Sequence, residues 1–199
     1  SVREAFIGIA PAVVMGVSFS GELAYEIHVP NAQLYAAYLA LKQAGDAHGM
    51  QFFGARAVES MRMEIGFLHW KSDILTEFDP FETGLDRFVR MNKPDFIGKA
   101  ALEARRAEGP QRKLGTLEIM SDEAPAHGGA SVMVDGAVVG TVTSGDYGHR
   151  VGKNLAYAFV KPEFSDEGTG LKLDIIGTMT QAKVIAPCPY DPEFARIRL

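Results

Sequence analysis

From Lys113 onward the chain is a succession of short β-rich runs separated by turn residues, and that pattern leaves few folds open. Six strand candidates fall at 113–120, 130–135, 137–143, 154–160, 171–176 and 180–186. Asp135-Gly136, set between Val132-Met133-Val134 and Ala137-Val138-Val139, is a strong type I′ hairpin signal, because both central positions of that turn need a positive φ. Several short strands with tight turns between them point to a small antiparallel barrel or sandwich.

Before residue 110 the patterns are mixed. Ala12 to Phe19 and Ala24 to Pro30 are β-rich runs on either side of Ser20-Gly21-Glu22-Leu23, which reads as an antiparallel hairpin. In the second run Tyr25, Ile27 and Val29 alternate with Glu26 and His28, so one face is apolar and Tyr25 is expected in the core. Asn31 follows as a potential helix cap, and Leu34, Tyr35, Tyr38, Leu39 and Leu41 give a helical stripe to about Lys42. A second helix is expected over Ala55 to Ile65, with Val58, Met61 and Ile65 on one face and Arg56, Glu59 and Arg62 elsewhere. A third is expected over Phe96 to Ala107, closed by Gly109-Pro110. Residues 70–92 read as one long irregular segment, a kind that is often functional. The fold class expected is therefore α+β, with a mixed segment over 1–110 and a small antiparallel β-barrel over 111–199.

Composition excludes several function classes. The net charge of −5 is spread without runs of one sign, which argues against a nucleic-acid surface. No apolar run approaches the roughly 20 residues that cross a bilayer. The lone Cys188 excludes an internal disulfide and a cysteine-based metal site, and it reads as an inert thiol between two prolines. A reducing, cytoplasmic setting is the expectation. The five histidines are scattered, and there is no phosphate loop, nucleophile elbow or dinucleotide fingerprint. The first residues, Ser1-Val2-Arg3-Glu4, suggest a cut from a longer protein. No catalytic residue and no metal ligand emerges from the residues themselves.

A series of ordered motifs says more. Ser18-Phe19-Ser20-Gly21-Glu22-Leu23-Ala24-Tyr25-Glu26-Ile27, continued by His28-Val29-Pro30, resembles the hairpin signature of the glycine cleavage T-protein family. The wording is nearer to that family's dehydrogenase branch, the folate-binding portions of dimethylglycine and sarcosine dehydrogenases. Glu59 to Gly66, His69-Trp70 with Asp73-Ile74, Pro80 to Leu85, Asp95 to Leu102 and Gly140 to Gly145 match further segments in the same order.

The resemblance implies a tetrahydrofolate cofactor and places Glu26 as the carboxylate that accepts hydrogen bonds from the pterin ring. A carboxylate can take two parallel N–H donors from an amino-pyrimidinone edge. The family's aromatic seven positions earlier maps to Phe19, which keeps a stacking contact but has no hydroxyl. The family's folate-contacting arginine maps to Val58. Either Arg56 fills that role or the contact is lost. Arg62 is expected in a structural ion pair with Glu59 or Glu64, and Trp70 either walls a cavity or packs as a core residue.

The family's catalytic Asp lies in a portion that precedes residue 1, so the segment on its own is expected to lack turnover. In the dehydrogenase branch an upstream domain of the same protein carries FAD and oxidises an N-methyl amine, and folate N5 captures the carbon. The alternatives are a flavin-free aminomethyltransferase and a non-enzymatic folate-binding module.

Overall fold

A computed structural model describes residues 1–198. The chain forms two compact units, one comprising Ser1–Met61 with the C-terminal residues from Glu193, the other Arg62–Pro192.

The first unit holds a three-stranded antiparallel sheet of order β1-β2-β3, with β1 at Val2–Ile7, β2 at Ala10–Met15 and β3 at Glu26–His28. The expected hairpin exists, but its second strand is short. Met15 pairs with Glu26 and Val13 with His28, leaving residues 16–25 as the connecting loop. Strand β1 was not expected, since charged Arg3 and Glu4 interrupt its short apolar run. It pairs with β2 along its full length, from Val2 opposite Met15 to Ile7 opposite Ala10. Helix α1 (Leu34–Asp46) runs a turn beyond its expected end, and Asn31 starts a 3₁₀ turn without making a side-chain cap. It lies against β1 and β2. Alternation along the strands puts Ala5, Ile7, Ala10, Ala12 and Ile27 on one sheet face and Val2, Glu4, Phe6, Pro11, Val13, Met15, Glu26 and His28 on the other. Tyr25, expected in the core, is exposed in the loop before β3.

Helix α2 (Ala55–Ile65) has the expected limits, but its last turn is buried on all sides. Arg62, Met63, Glu64 and Ile65 are each at most 1% exposed. The segment over 70–92 is more ordered than expected. Asp79 caps the single-turn helix α3 (Pro80–Thr83) by accepting from the Phe81 and Glu82 amides, and Glu82 reciprocates at the Asp79 amide. That capping box, with Pro at N1, was readable in Asp79-Pro80-Phe81-Glu82. Buried Glu82 also accepts from the Gln111 and Arg112 amides. Helix α4 (Lys99–Glu108) starts three residues later than expected, after Gly98 in the left-handed region.

The six remaining strands close a barrel in the order β4-β7-β6-β5-β8-β9, every neighbouring pair antiparallel. They are β4 Lys113–Ile119, β5 Ser131–Val134, β6 Ala137–Gly148, β7 Lys153–Val160, β8 Gly170–Ile175 and β9 Thr178–Ile185, so all six expected strands are present. Asp135 and Gly136 take φ of 49° and 81°, the values a type I′ turn needs. Leu117, Val132, Val142, Val160, Leu171, Leu173 and Val184 fill the interior. Closure leaves no open sheet edge. Strand β7 is buried on both faces: Ala156, Ala158 and Val160 point inward, while Leu155 and Tyr157 pack outside against Met63 and Leu68. Phe159, on the same outer face, stacks on Phe78 with ring centroids 3.7 Å apart.

On the barrel wall Glu118 of β4 meets Lys183 directly opposite on β9 at 3.2 Å and Lys153 diagonally on β7 at 3.0 Å. Partial burial pushes the Glu118 carboxyl up, but the hydrogen bonds and charges of Lys153 and Lys183 outweigh it and hold the group below its ordinary value. A depressed carboxyl stabilises the fold above its unfolded pKa of about 4.3, and the contribution is lost as pH falls through the lower folded value. The Tm gap between wild type and Glu118→Gln is therefore expected to be full above about pH 5 and to close on acidification toward pH 3. Thermal melts across that range check this. Leu173→Ala, at a fully buried interior position, is expected to cost about 2–5 kcal/mol in urea unfolding.

Candidate functional site

The hairpin loop is held by its own short polar side chains. Ser18 Oγ accepts from the Gly21 amide at 3.0 Å and Ser20 Oγ from the Glu22 amide at 3.4 Å. Arg196, from the C-terminal residues, donates through Nε to Glu22 Oε2 at 2.8 Å. Sequence reasoning missed Arg196, because nothing local to it signals a partner 174 positions away. The loop leads into Glu26, first residue of β3, whose side chain is 58% exposed. Glu26 Oε2 meets His28 Nε2 at 3.2 Å. Their spacing of two along a strand puts both on the sheet face not covered by α1. His28 was legible only as a motif residue, though the alternation around it did place it beside Glu26.

That sheet face carries an open groove of about 530 Å³, lined among others by Glu4, Phe6, Pro11, Val13, His28 and Pro30. Glu26 is at one end of this surface, through its pairing with Met15. The arrangement offers a planar anionic acceptor beside an imidazole and an apolar floor. Phe19 lies half-buried in the loop, and Arg56 is exposed on the first turn of α2. Trp70 belongs to the second unit, is 61% exposed and bridges to Ile74, so the core reading of this residue does not hold.

Most of the other matched motifs meet in a buried polar network of the second unit. Asp73, fully buried, accepts four hydrogen bonds. Arg62 Nη1 (2.6 Å) and the His69 amide (2.8 Å) reach its Oδ2, and the hydroxyls of Thr143 (2.5 Å) and Ser144 (2.6 Å) reach its Oδ1. Arg62 donates further to the Phe67 carbonyl and Ser144 Oγ, with Tyr157 below its guanidinium. Thr143 and Ser144 are consecutive, and in a regular strand they would point to opposite faces. The β6–β7 register shifts between Val142 and Ser144, and this bulge lets both hydroxyls reach one carboxylate. Gly145 follows because a Cβ there would lie 2.2 Å from the Ala126 carbonyl oxygen. Arg62 is thus in a structural ion pair, as expected, and Asp73 is a partner in it. Glu64 accepts from the Arg150 and Val151 amides and from Arg150 Nε, while the Arg150 guanidinium lies over the Tyr190 ring. These residues hold structure.

Cys188 donates to the Tyr190 carbonyl. Burial, with the Asp191 carboxylate, pushes its thiol above the ordinary range and so keeps it protonated at neutral pH. Among the described residues no group of His, Cys, Asp and Glu is placed to hold a metal ion, and no helix is long and apolar enough to cross a membrane.

Family models add the decisive comparison. The GCVT N-terminal domain matches residues 1–93, and the glycine cleavage T-protein C-terminal barrel domain matches residues 112–191. The chain belongs to the glycine cleavage T-protein family. Within it, this T-protein family chain is 35% identical over 190 residues to the mitochondrial dimethylglycine dehydrogenase of Rattus norvegicus, covering 95% of this chain and 22% of that protein. It is 33% identical over 193 residues to the mitochondrial sarcosine dehydrogenase of Mus musculus, covering 92% and 21%. It is also 33% identical over 178 residues to the aminomethyltransferase of Saccharopolyspora erythraea, covering 89% and 48%. The solved aminomethyltransferase T of the glycine cleavage system from Bartonella henselae superposes with a TM-score of 0.81 at 26% identity, over 91% of this chain and 50% of that one. The chain thus spans about a fifth of the dehydrogenases and half of the aminomethyltransferases. By name the two dehydrogenases are mitochondrial, a different compartment from the cytoplasmic one expected from the sequence.

Removing one partner of a buried ion pair strands the other charge. Arg62→Met and Asp73→Asn are each expected to cost about 3–5 kcal/mol, and the double variant Arg62→Met/Asp73→Leu less than the sum of the singles. Denaturant titrations of the three variants check the coupling.

Proposed function

We propose that this chain supplies the pterin-binding carboxylate, Glu26, of a protein that transfers a one-carbon unit to tetrahydrofolate. The observation that carries the reading is the placement of Glu26. It is an exposed carboxylate at the start of β3, inside the family's hairpin motif and on an open, largely apolar sheet face. This suits tetrahydrofolate, whose pterin presents a flat ring for the apolar floor and an amino-pyrimidinone edge for the carboxylate. His28 holds one oxygen of Glu26 and so fixes the plane of the acceptor. Phe19 is a stacking contact, Arg56 a cation for the folate carboxylates and Trp70 an exposed aromatic, each proposed by residue type. When bound, tetrahydrofolate supplies the nucleophilic nitrogen that captures the carbon, and the chain's part is to hold and orient the ring, so that proximity does most of the work.

The parent protein, on this reading, is a dehydrogenase acting on an N-methyl amine such as dimethylglycine or sarcosine, with FAD in an upstream domain. No stretch of this chain carries a dinucleotide fingerprint, so the flavin would be held elsewhere. A flavin-free aminomethyltransferase is the second reading, favoured by the comparable identity to the Saccharopolyspora erythraea protein. We place the division between the folate-binding segment and the barrel domain near residue 110, in the interval between the two family-model matches.

Hydrogen bonds to a charged acceptor contribute about 1.5–3 kcal/mol, or roughly a 10- to 150-fold change in affinity. Glu26→Gln in the intact parent is expected to weaken tetrahydrofolate binding by that factor in calorimetry, because its amide turns a donor toward the pterin donors. Unchanged affinity, or no binding by the wild-type parent, would remove the assignment. The isolated chain is expected to bind tetrahydrofolate weakly and show no turnover.

A further inference from the structure

The strand that carries Glu26 is a weak anchor for it. Strand β3 spans only Glu26–His28, and Glu26 is its terminal residue, held to the sheet by its pairing with Met15. The last pair of a short ladder opens at little cost. Whatever restrains the connection over 16–25 therefore also restrains the carboxylate. The middle of that connection is ordered: Gly21 is buried at a φ of 81°, and its amide donates to Ser18 Oγ at 3.0 Å. At the next residue a contact arrives from the far end of the chain. Arg196 Nε donates to Glu22 Oε2 at 2.8 Å across 174 positions, with the two side chains 52% and 34% exposed.

The segment that brings Arg196 there is tied down. Residues from Glu193 onward belong to the first unit, although the second unit precedes them in sequence. Chain ends are ordinarily poorly ordered unless something holds them. Phe194 is half-buried at a φ of 53°, a left-handed value that a bulky side chain adopts only where its surroundings impose it. A 3₁₀ turn over Arg196–Arg198 follows, with the Arg198 amide donating to the Ala195 carbonyl.

We propose that Arg196 is a positioning residue for Glu26: through Glu22 it clamps the loop in the conformation that presents the carboxylate to its ligand. The proposal rests on the folate reading of Glu26 and adds the contact that preorganises it. Arg196 touches no ligand on this account. A ligand that binds only the clamped loop has its apparent affinity scaled by the fraction of molecules in which the loop is clamped. An exposed ion pair biases such an equilibrium by at most about fivefold.

Hydrogen exchange on this chain reads the clamp without folate. In Arg196→Gln the amides of residues 21–26 should exchange about two- to fivefold faster than in wild type, with the barrel strands unchanged. Calorimetry on the intact parent reads the consequence. Tetrahydrofolate should bind about two- to fivefold more weakly to Arg196→Gln and to Glu22→Gln, and no more weakly to the double variant, because the two act as one pair. Loop amides that exchange as in wild type overturn the proposal, and so do losses that add in the double variant. A merely structural role would lower the unfolding midpoint and leave the tetrahydrofolate affinity alone, which also overturns it. Affinity lost in Glu26→Gln but intact in Arg196→Gln removes the clamp and keeps the folate reading. No binding by the wild-type parent removes the folate reading itself, and the positioning role with it.

Discussion

The ion pair between Arg62 and Asp73 organises the second unit, because it joins three stretches of chain that have no other reason to meet at one point. Arg62 comes from the last turn of α2, Asp73 from the turn that follows Trp70, and Thr143 and Ser144 from the bulge of β6. Two charges this deeply buried are tolerable only when nearly every donor and acceptor is matched, and here the carboxylate takes four donors. The cluster fixes the end of α2 over the outer face of β7, where Tyr157 lies under the guanidinium and donates to the Met63 carbonyl. The Glu64–Arg150 pair repeats the device two residues further along the helix.

The consequence for function is a division of labour between motifs. The segments around Arg62, Asp73 and Thr143-Ser144 are family motifs that concentrate charge and hydroxyls. In the fold these groups are consumed by one another. The hairpin around Glu26 behaves oppositely: its carboxylate stays exposed, and its neighbours are apolar. A polar side chain with solvent access beside an apolar surface is available to a ligand. One saturated by internal partners is not.

The two units also differ in how far they stand alone. A closed barrel satisfies its backbone at every strand and buries a continuous interior. The three-stranded sheet with one helix buries only alanines and presents an open face and a free edge.

Much of this was readable from the residues. Period-2 patterning and Asp135-Gly136 specified the barrel strands, because side-chain alternation and positive φ are local properties. The limits of α2 and the family's order of motifs were equally legible, and so was Glu26 beside His28 on one face of its strand. Local patterning did not reveal β1, whose partner alone makes it a strand, nor the bulge that turns Thr143 and Ser144 to one side. It also misassigned Tyr25, since exposure depends on what packs from elsewhere in the chain. Glu26 was named by sequence, but its pairing with His28, the groove nearby and the unpartnered apolar face around it were decided by tertiary structure. They depend on register between strands and on which face α1 covers, neither of which a linear pattern contains.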